Sequence, residues 1–155
     1  MESELQYGDK AEIPLGDYTI PIGKAHCVIE GKDITVITHG RTVTLCKEAA
    51  RYLKDKDISV ELIDLRTIKP LDLATILRSV KKTNHCVVVE EGHIFSGITA
   101  EVGFLVQQSG FDYLDAPILR VCQKETPMPY SKVLEKQTLP TVERIVTAIT
   151  QTLNK

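Results

Sequence analysis

The order of apolar and polar positions predicts alternating strands and helices from residue 25 onward. Short β-branched runs, bounded by turn-forming residues, predict strands at 25–30, 33–39, 58–64, 85–90 and 118–122. Apolar residues that recur every three or four positions predict amphipathic helices at 42–55, 73–80, 97–109 and 140–153. This alternation is typical of an α/β fold, in which a mainly parallel sheet carries helices on both faces.

Two of the predicted strands have a distinctive pattern. The first two runs are joined by Gly31 and Lys32, a connection short enough for an antiparallel hairpin at one edge of the sheet. The run at 85–90, HCVVVE, is almost wholly apolar, so we expect a central strand that is covered on both faces. Thr42 and Ser96 stand where each could cap the helix that follows it.

The chain divides into an arm and one domain. Glycine and proline interrupt residues 8–24 without any sustained period, which predicts a linker or surface arm at 1–24. The remaining segment, 25–155, is long enough for one domain with its own hydrophobic core. We expect a further segment to precede this arm.

Charge and hydropathy exclude several classes of function. The net charge is -2 and like charges never run beyond a pair, so neither nucleic acid nor an anionic membrane is an expected partner. No apolar stretch approaches the roughly 20 residues that span a bilayer, and the amino terminus is too polar for a secretory signal. The sequence therefore predicts a soluble, cytosolic protein.

Cysteine and histidine show no metal-binding pattern. The four cysteines are far apart, each within an apolar run, and none forms a CxxC pair, so we expect core thiols. The four histidines lack the i, i+4 spacing of a helical metal pair. We predict no metal site.

The stretch VVVEEGHIFSGITAEV, residues 87–102, is the main candidate for a functional site. It places Glu90, Glu91 and His93 at the carboxyl end of a predicted parallel strand, where ligands of such sheets usually bind. Because successive strand residues point to opposite faces, the two glutamates are not expected to act as a paired acid and base. We expect one to line a cleft and the other to accept backbone hydrogen bonds. A cleft or interface turn is thus favoured over catalysis.

Two other loops offer weaker candidates. His39 and Arg41 precede a predicted helix and could together hold an anion, although such helix starts are common. The proline-rich segment 124–135, KETPMPYSKVLE, provides no nucleophile and is more typical of a docking edge. The residues alone therefore predict an α/β domain with a cleft, and they do not assign a function to that cleft.

Several blocks of the sequence resemble a known family. They are ESELQYG (2–8), IPIGKAHCVIEGKDITVITHGRTV (20–43), VELIDLRTIKPLD (60–72), KTNHCVVVEEGHIFSGITAEV (82–102), LDAPILRV (114–121) and TPMPYSKVLE (126–135). In this order they resemble the carboxyl-terminal half of the pyruvate dehydrogenase β-subunit family. The resemblance implies the fold of the transketolase carboxyl-terminal domain. This is a three-layer α/β/α sandwich with a five-stranded, mixed, mostly parallel sheet whose first strand is antiparallel.

The resemblance also implies which functions lie outside this segment. In the family, thiamine diphosphate and magnesium are bound by the amino-terminal half of the β subunit and by the α subunit. We therefore expect no cofactor in this segment and carry over no catalytic residue. The full enzyme would decarboxylate pyruvate and transfer the acetyl group to lipoamide, whereas the isolated segment is expected to be inactive.

Assembly is the role that the resemblance leaves to this segment. The expected partners are the α subunit, a second β subunit and the binding domain of a dihydrolipoyl acyltransferase. Asp115, Asn154 and Lys155 match regions that contact this binding domain in the family, and Lys155 departs from an ideal acidic surface. Two alternatives stay open: the β subunit of a branched-chain 2-oxoacid or acetoin dehydrogenase, and a free-standing binding module without enzymatic activity.

Overall fold

A computed structural model of the chain describes residue 12 and residues 15–154. These residues form five β-strands, five α-helices and one short 3-10 helix at Phe111–Tyr113. The main elements are, in chain order, β1 (His26–Ile29), β2 (Ile34–Thr38), α1 (Thr42–Lys54), β3 (Val60–Asp64), α2 (Leu73–Thr83), β4 (Cys86–His93), α3 (Ile98–Gly110), β5 (Leu119–Gln123), α4 (Lys132–Thr138) and α5 (Val142–Thr152).

The five strands form one mixed sheet in the order β1-β3-β2-β4-β5. β2 is parallel to both β3 and β4, and β5 is parallel to β4. β1 is antiparallel to β3 and forms one edge of the sheet. The expected mixed sheet with an antiparallel first strand is therefore confirmed.

The hairpin predicted at Gly31 and Lys32 is wrong, because β3 lies between β1 and β2. The short connection instead passes the start of β3, where the N–H groups of Lys32 and Asp33 donate to the Ser59 carbonyl at 3.3 and 2.9 Å. The Asp33 carboxylate accepts from the Ser59 N–H at 2.7 Å. A Cβ on Gly31 would overlap the backbone of Val60, so this close passage requires glycine.

Helices cover both faces of the sheet. α1 and α5 pack together on one face, and α2 and α3 pack together on the other. In the central strand β4, Val87 and Val89 join the first core and Val88 joins the second; each is at most 1% exposed. Burying one such side chain contributes about 1.5–3 kcal/mol to folding. The prediction of a central strand covered on both faces is confirmed.

Two predicted helix caps are wrong. Thr42 is the first residue of α1 rather than its cap, and its hydroxyl donates to the His39 carbonyl at 2.7 Å. Ser96 has a left-handed φ of 58°, and Gly97 occupies the cap position of α3. Since Gly97 has no side chain, the free N–H groups at the start of α3 need another acceptor.

The proline-rich segment 124–135 ends in a helix that the sequence pattern did not predict. α4 begins at Lys132, after the prolines, and is seven residues long. Val133 and Leu134 are 68% and 51% exposed, so α4 lacks the inward apolar stripe by which a helix is recognised in sequence. α5 follows as predicted, with the Thr141 side chain accepting from the Arg144 N–H at 3.3 Å.

A polar network lies between β3 and α2. The Glu61 side chain is nearly buried and accepts hydrogen bonds from Lys82 Nζ and from the Gly31 N–H. Burial alone raises the pKa of Glu61, but hydrogen bonds from Lys82, Ser79 and Gly31 outweigh it and hold the pKa below its ordinary value. The same hydrogen bond raises the pKa of Lys82.

Candidate functional site

The turn between β4 and α3 holds all three residues of the main candidate site. It lies at the carboxyl end of the parallel strands, as the sequence pattern predicts. The three side chains nevertheless have different environments: Glu90 is 4% exposed, Glu91 is partly buried and His93 is exposed.

The Glu90 carboxylate caps helix α3. Oε1 accepts from the Thr99 N–H at 3.1 Å and from the Thr99 hydroxyl at 2.8 Å, and Oε2 accepts from the Ile98 N–H at 3.2 Å. A carboxylate at this position also faces the positive end of the helix dipole. The expectation that one of the two glutamates accepts backbone hydrogen bonds is thus confirmed for Glu90.

Close packing at Gly97 makes this cap possible. A Cβ on Gly97 would overlap both Glu90 Oε1 and the His93 carbonyl oxygen. Below the cap, the Thr99 hydroxyl also lies 3.2 Å from Cys122 Sγ on β5. Burial raises the pKa of the Cys122 thiol, which therefore stays protonated at neutral pH. The turn, α3 and β5 are in this way held together.

His39, at the end of β2, faces the cap from the neighbouring strand. Its Nε2 lies 4.0 Å from Glu90 Oε2, is shielded from solvent and has no hydrogen-bond partner among the described residues. Sequence reasoning considered His39 only as a possible anion ligand. Its proximity to Glu90 could have been inferred, because both residues end adjacent parallel strands.

Glu91 points away from this cap. Its Oε1 lies 3.7 Å from Arg41 Nη1, with both side chains partly exposed. Arg41 and Glu91 therefore form an ion pair between two loops at this end of the sheet. The Glu91 carboxylate thus lies beside Arg41, at the place where the sequence suggested a bound anion. The two adjacent glutamates do not share one site, as their strand positions predict.

His93 borders an open groove of about 440 Å³ on the outer side of the turn. The groove is also lined by Phe95, Glu125, Thr126 and Pro127. Phe95 is 82% exposed, and the segment that follows β5 forms the other wall. This arrangement places an exposed aromatic side chain beside the proline-rich segment.

Two of the three candidate partner-binding residues are described by the structure, and both lie at the opposite end of the sheet. Asp115 is exposed and precedes β5; its N–H donates to the Asn84 carbonyl at 2.9 Å. Asn154 is exposed, follows α5 and has a left-handed φ of 52°. Lys155 lies outside the described residues. Because α5 runs antiparallel to β5, the structure brings Asp115 and Asn154 to the same, amino-terminal end of the strands.

The cysteines are free thiols, and three of the four are buried. Cys46, Cys86 and Cys122 lie in the core, as predicted, whereas Cys27 on the edge strand is partly exposed. Burial raises the pKa of both Cys46 and Cys86 to about 12. Within residues 12 and 15–154, no three histidine, cysteine, aspartate or glutamate side chains gather as metal ligands would.

The sequence and the fold define the class of protein. The chain belongs to the transketolase carboxyl-terminal domain family, whose model, described as "Transketolase, C-terminal domain", matches residues 23–145. The chain is also similar in structure to a split-gene transketolase described as an inactive beta4 tetramer, with a TM-score of 0.78 and 22% identity over 93% of this chain and 46% of that one. At this identity the similarity supports the fold alone.

More specific relatives are β subunits of one enzyme. The pyruvate dehydrogenase E1 component subunit beta of Rhizobium meliloti is 47% identical over 150 residues, or 96% of this chain and 33% of that protein. The mitochondrial subunit of Homo sapiens is 44% identical over 159 residues, or 99% of this chain and 44% of that protein. The chain therefore spans less than half the length of these relatives.

Proposed function

We propose that the chain is the carboxyl-terminal assembly domain of a pyruvate dehydrogenase β subunit. The observation that carries this proposal is the similarity to such subunits along nearly the whole chain. The geometry of the turn agrees with an assembly role. The Glu90 carboxylate is occupied by the start of α3, and Glu91 pairs with Arg41, so neither glutamate is placed to act on a substrate.

In this proposal the chemistry belongs to the complete enzyme. That enzyme performs oxidative decarboxylation of pyruvate and acetyl transfer to lipoamide, with thiamine diphosphate and magnesium bound outside this segment. The arm at 1–24 links the domain to the preceding half of the subunit. The enzyme is a heterotetramer of two α and two β subunits, and it works in the cytoplasm or, in a eukaryote, in the mitochondrial matrix. No helix among the described residues is long and apolar enough to cross a membrane.

Exposed apolar side chains support a subunit contact at the carboxyl end of the strands. Phe95 and Tyr130 are 82% and 106% exposed, and Met128 and Leu134 are about half exposed. Large exposed apolar patches mark interaction sites in soluble proteins. We assign these exposed side chains to contact with the rest of the heterotetramer, with Glu90, Glu91 and His93 organising the turn that carries Phe95.

We assign the opposite end of the sheet to the acyltransferase. Asp115 and Asn154, together with Lys155, would contact the small basic binding domain of a dihydrolipoyl acyltransferase. The exposed Asp115 carboxylate would steer and orient a basic partner while adding only modest affinity. This assignment predicts that Asp115→Lys weakens acyltransferase binding and leaves the heterotetramer intact.

A hybrid enzyme tests the proposed function. Residues 15–155 would replace the matching segment of the Rhizobium meliloti β subunit, which would then be produced together with its α subunit. We expect a heterotetramer that releases carbon dioxide from pyruvate when thiamine diphosphate and magnesium are added. A hybrid β subunit that folds but remains separate from α would contradict the proposal, as would micromolar binding of thiamine diphosphate to the 155-residue chain alone.

A further inference from the structure

Helix α1 leaves the edge strand β1 largely uncovered. On its face of the sheet, α1 packs against α5 and against strands β2, β3 and β4, whereas the main contacts of β1 are with β3. Ile29 on β1 packs against the core that α1 covers, yet it is only partly buried. The sheet therefore has an open strip beside α1, along the edge that β1 forms.

This strip contains a groove of about 600 Å³. It lies between β1, the last turns of α1 and the connection at 57–60, and we call it the α1 groove. Its floor is apolar, since Ala50, Ile58 and Val60 are at most 7% exposed, and Ile29 lines it as well. Small-molecule sites have a similar volume and are mostly apolar, with a few polar groups at fixed positions.

Three cations line the α1 groove without a partner. Lys32, Arg51 and Lys54 are all exposed. Among the described residues, their side chains form no ion pair and no hydrogen bond, and none lies over an aromatic ring. Arg51 and Lys54 stand three positions apart on α1, so their head groups reach the same side of the helix. An anionic group beside them can accept hydrogen bonds from both.

Two carboxylates limit the charge of a suitable ligand. Glu30 and Asp57 also line the α1 groove, so three cations and two carboxylates leave one net positive charge. The groove adjoins the carboxyl end of α1, where the helix dipole is negative and disfavours a strongly charged anion. Charge and the apolar floor together favour a molecule with a single anionic group and an apolar body.

We propose that the α1 groove binds a small amphipathic carboxylate. The apolar body would lie on Ala50 and Ile58, and the carboxylate would accept charge-assisted hydrogen bonds from Arg51 and Lys54. Lys32, on the connection between β1 and β2, supplies the third cation. The α1 groove lies at the amino-terminal end of the parallel strands, whereas the turn between β4 and α3 lies at their carboxyl end. The proposal is independent of the proposed function, because the groove is formed by this domain alone.

Isothermal titration calorimetry of the 155-residue chain with decanoate, below its micelle-forming concentration, tests this proposal. We expect one saturable site. Acetate lacks the apolar body and should bind at least about tenfold more weakly, because its contact with the floor is lost. Decyltrimethylammonium has the same apolar chain with a positive head group, and it should also bind at least about tenfold more weakly, because the cations repel it.

Two double variants locate the site. Arg51→Gln/Lys54→Gln should raise the Kd for decanoate about fivefold or more, because both partners of the carboxylate are lost. Lys47→Gln/Lys56→Gln is the matched control, since it removes the same charge from exposed side chains that do not line the α1 groove, and the Kd should stay within about twofold. All four side chains are exposed, so both variants should remain folded by circular dichroism.

Four outcomes would overturn the proposal. Heat changes that never saturate at millimolar decanoate would show that no such site exists. Equal affinity for decanoate and decyltrimethylammonium would mean that the apolar chain adsorbs without recognition of its head group. Equal weakening by the two double variants would assign the attraction to net charge, and an unchanged Kd in both would place the site outside the α1 groove.

Discussion

Removing the Glu90 side chain is the most direct test of the turn as a structural element. Glu90→Ala removes the acceptor of the buried Thr99 N–H and of the partly buried Ile98 N–H. Each unpaired buried donor costs about 1–3 kcal/mol, and a lost amino-terminal cap typically costs about 1 kcal/mol. We therefore expect the free energy of unfolding to fall by about 3 kcal/mol. For a domain of this size this lowers Tm by about 6–12 °C.

Urea unfolding followed by circular dichroism measures this loss. Glu90→Gln keeps the shape of the side chain but turns one acceptor into a donor, so we expect an intermediate loss of about 1–2 kcal/mol. Glu91→Ala is the matched control, because Glu91 does not cap α3 and its ion pair with Arg41 is partly exposed and worth about 0–1 kcal/mol. If Glu90→Ala and Glu91→Ala both stayed within about 0.5 kcal/mol of the wild type, the assignment of Glu90 as a cap would be refuted.

Three further measurements address other parts of the structure. Gly97→Ala should lower the free energy of unfolding by about 1–3 kcal/mol, because the added Cβ overlaps neighbouring oxygen atoms. Gly103→Ala adds a Cβ in open space on a helix, so it should raise the free energy of unfolding of the monomer by about 0.5–1 kcal/mol. Equal effects of the two substitutions would contradict this difference. Because the fold lowers the pKa of Glu61, its ionised carboxylate stabilises the fold above pH 4.5. The free energy of unfolding of the wild type should therefore decrease as the pH drops below this value. In Glu61→Gln, acid unfolding curves should show a smaller decrease over the same pH range. Burial raises the pKa of the Cys27 thiol, yet Cys27 is the one partly exposed cysteine, so a disulfide reagent at pH 8 should modify it before the three buried thiols, and Cys27→Ser should abolish this first phase; a second thiol that reacts equally fast would show that the core opens readily.

Local sequence signals were enough to predict most elements and the position of the candidate site. The all-apolar run of β4 indicated a strand covered on both faces, and its carboxyl end gave the location of Glu90, Glu91 and His93. The opposite orientations of Glu90 and Glu91 followed from the period of a strand. These features depend on neighbouring residues alone, which is why sequence reasoning reached them.

Features that depend on distant residues were not predicted. The short connection at Gly31 has the length of a hairpin, but only the later strand β3, inserted between β1 and β2, decides how they pair. Ser96 occupies a plausible cap position, yet the acceptor for α3 is Glu90, eight and nine residues before its donors. α4 was missed because its exposed Val133 and Leu134 give no inward stripe.

The insertion of β3 between β1 and β2 has a consequence for the order of folding. The arm and β1 find their contacts far along the chain: the Gly23 N–H donates to Thr67, 44 residues later, and the Ala25 N–H donates to Asp72, 47 residues later. Because closing long loops precedes such contacts, they form slowly compared with local ones. We expect β1 to join the sheet after β2, β3 and the helix between them have assembled, so the first strand in the chain is not the first to pair.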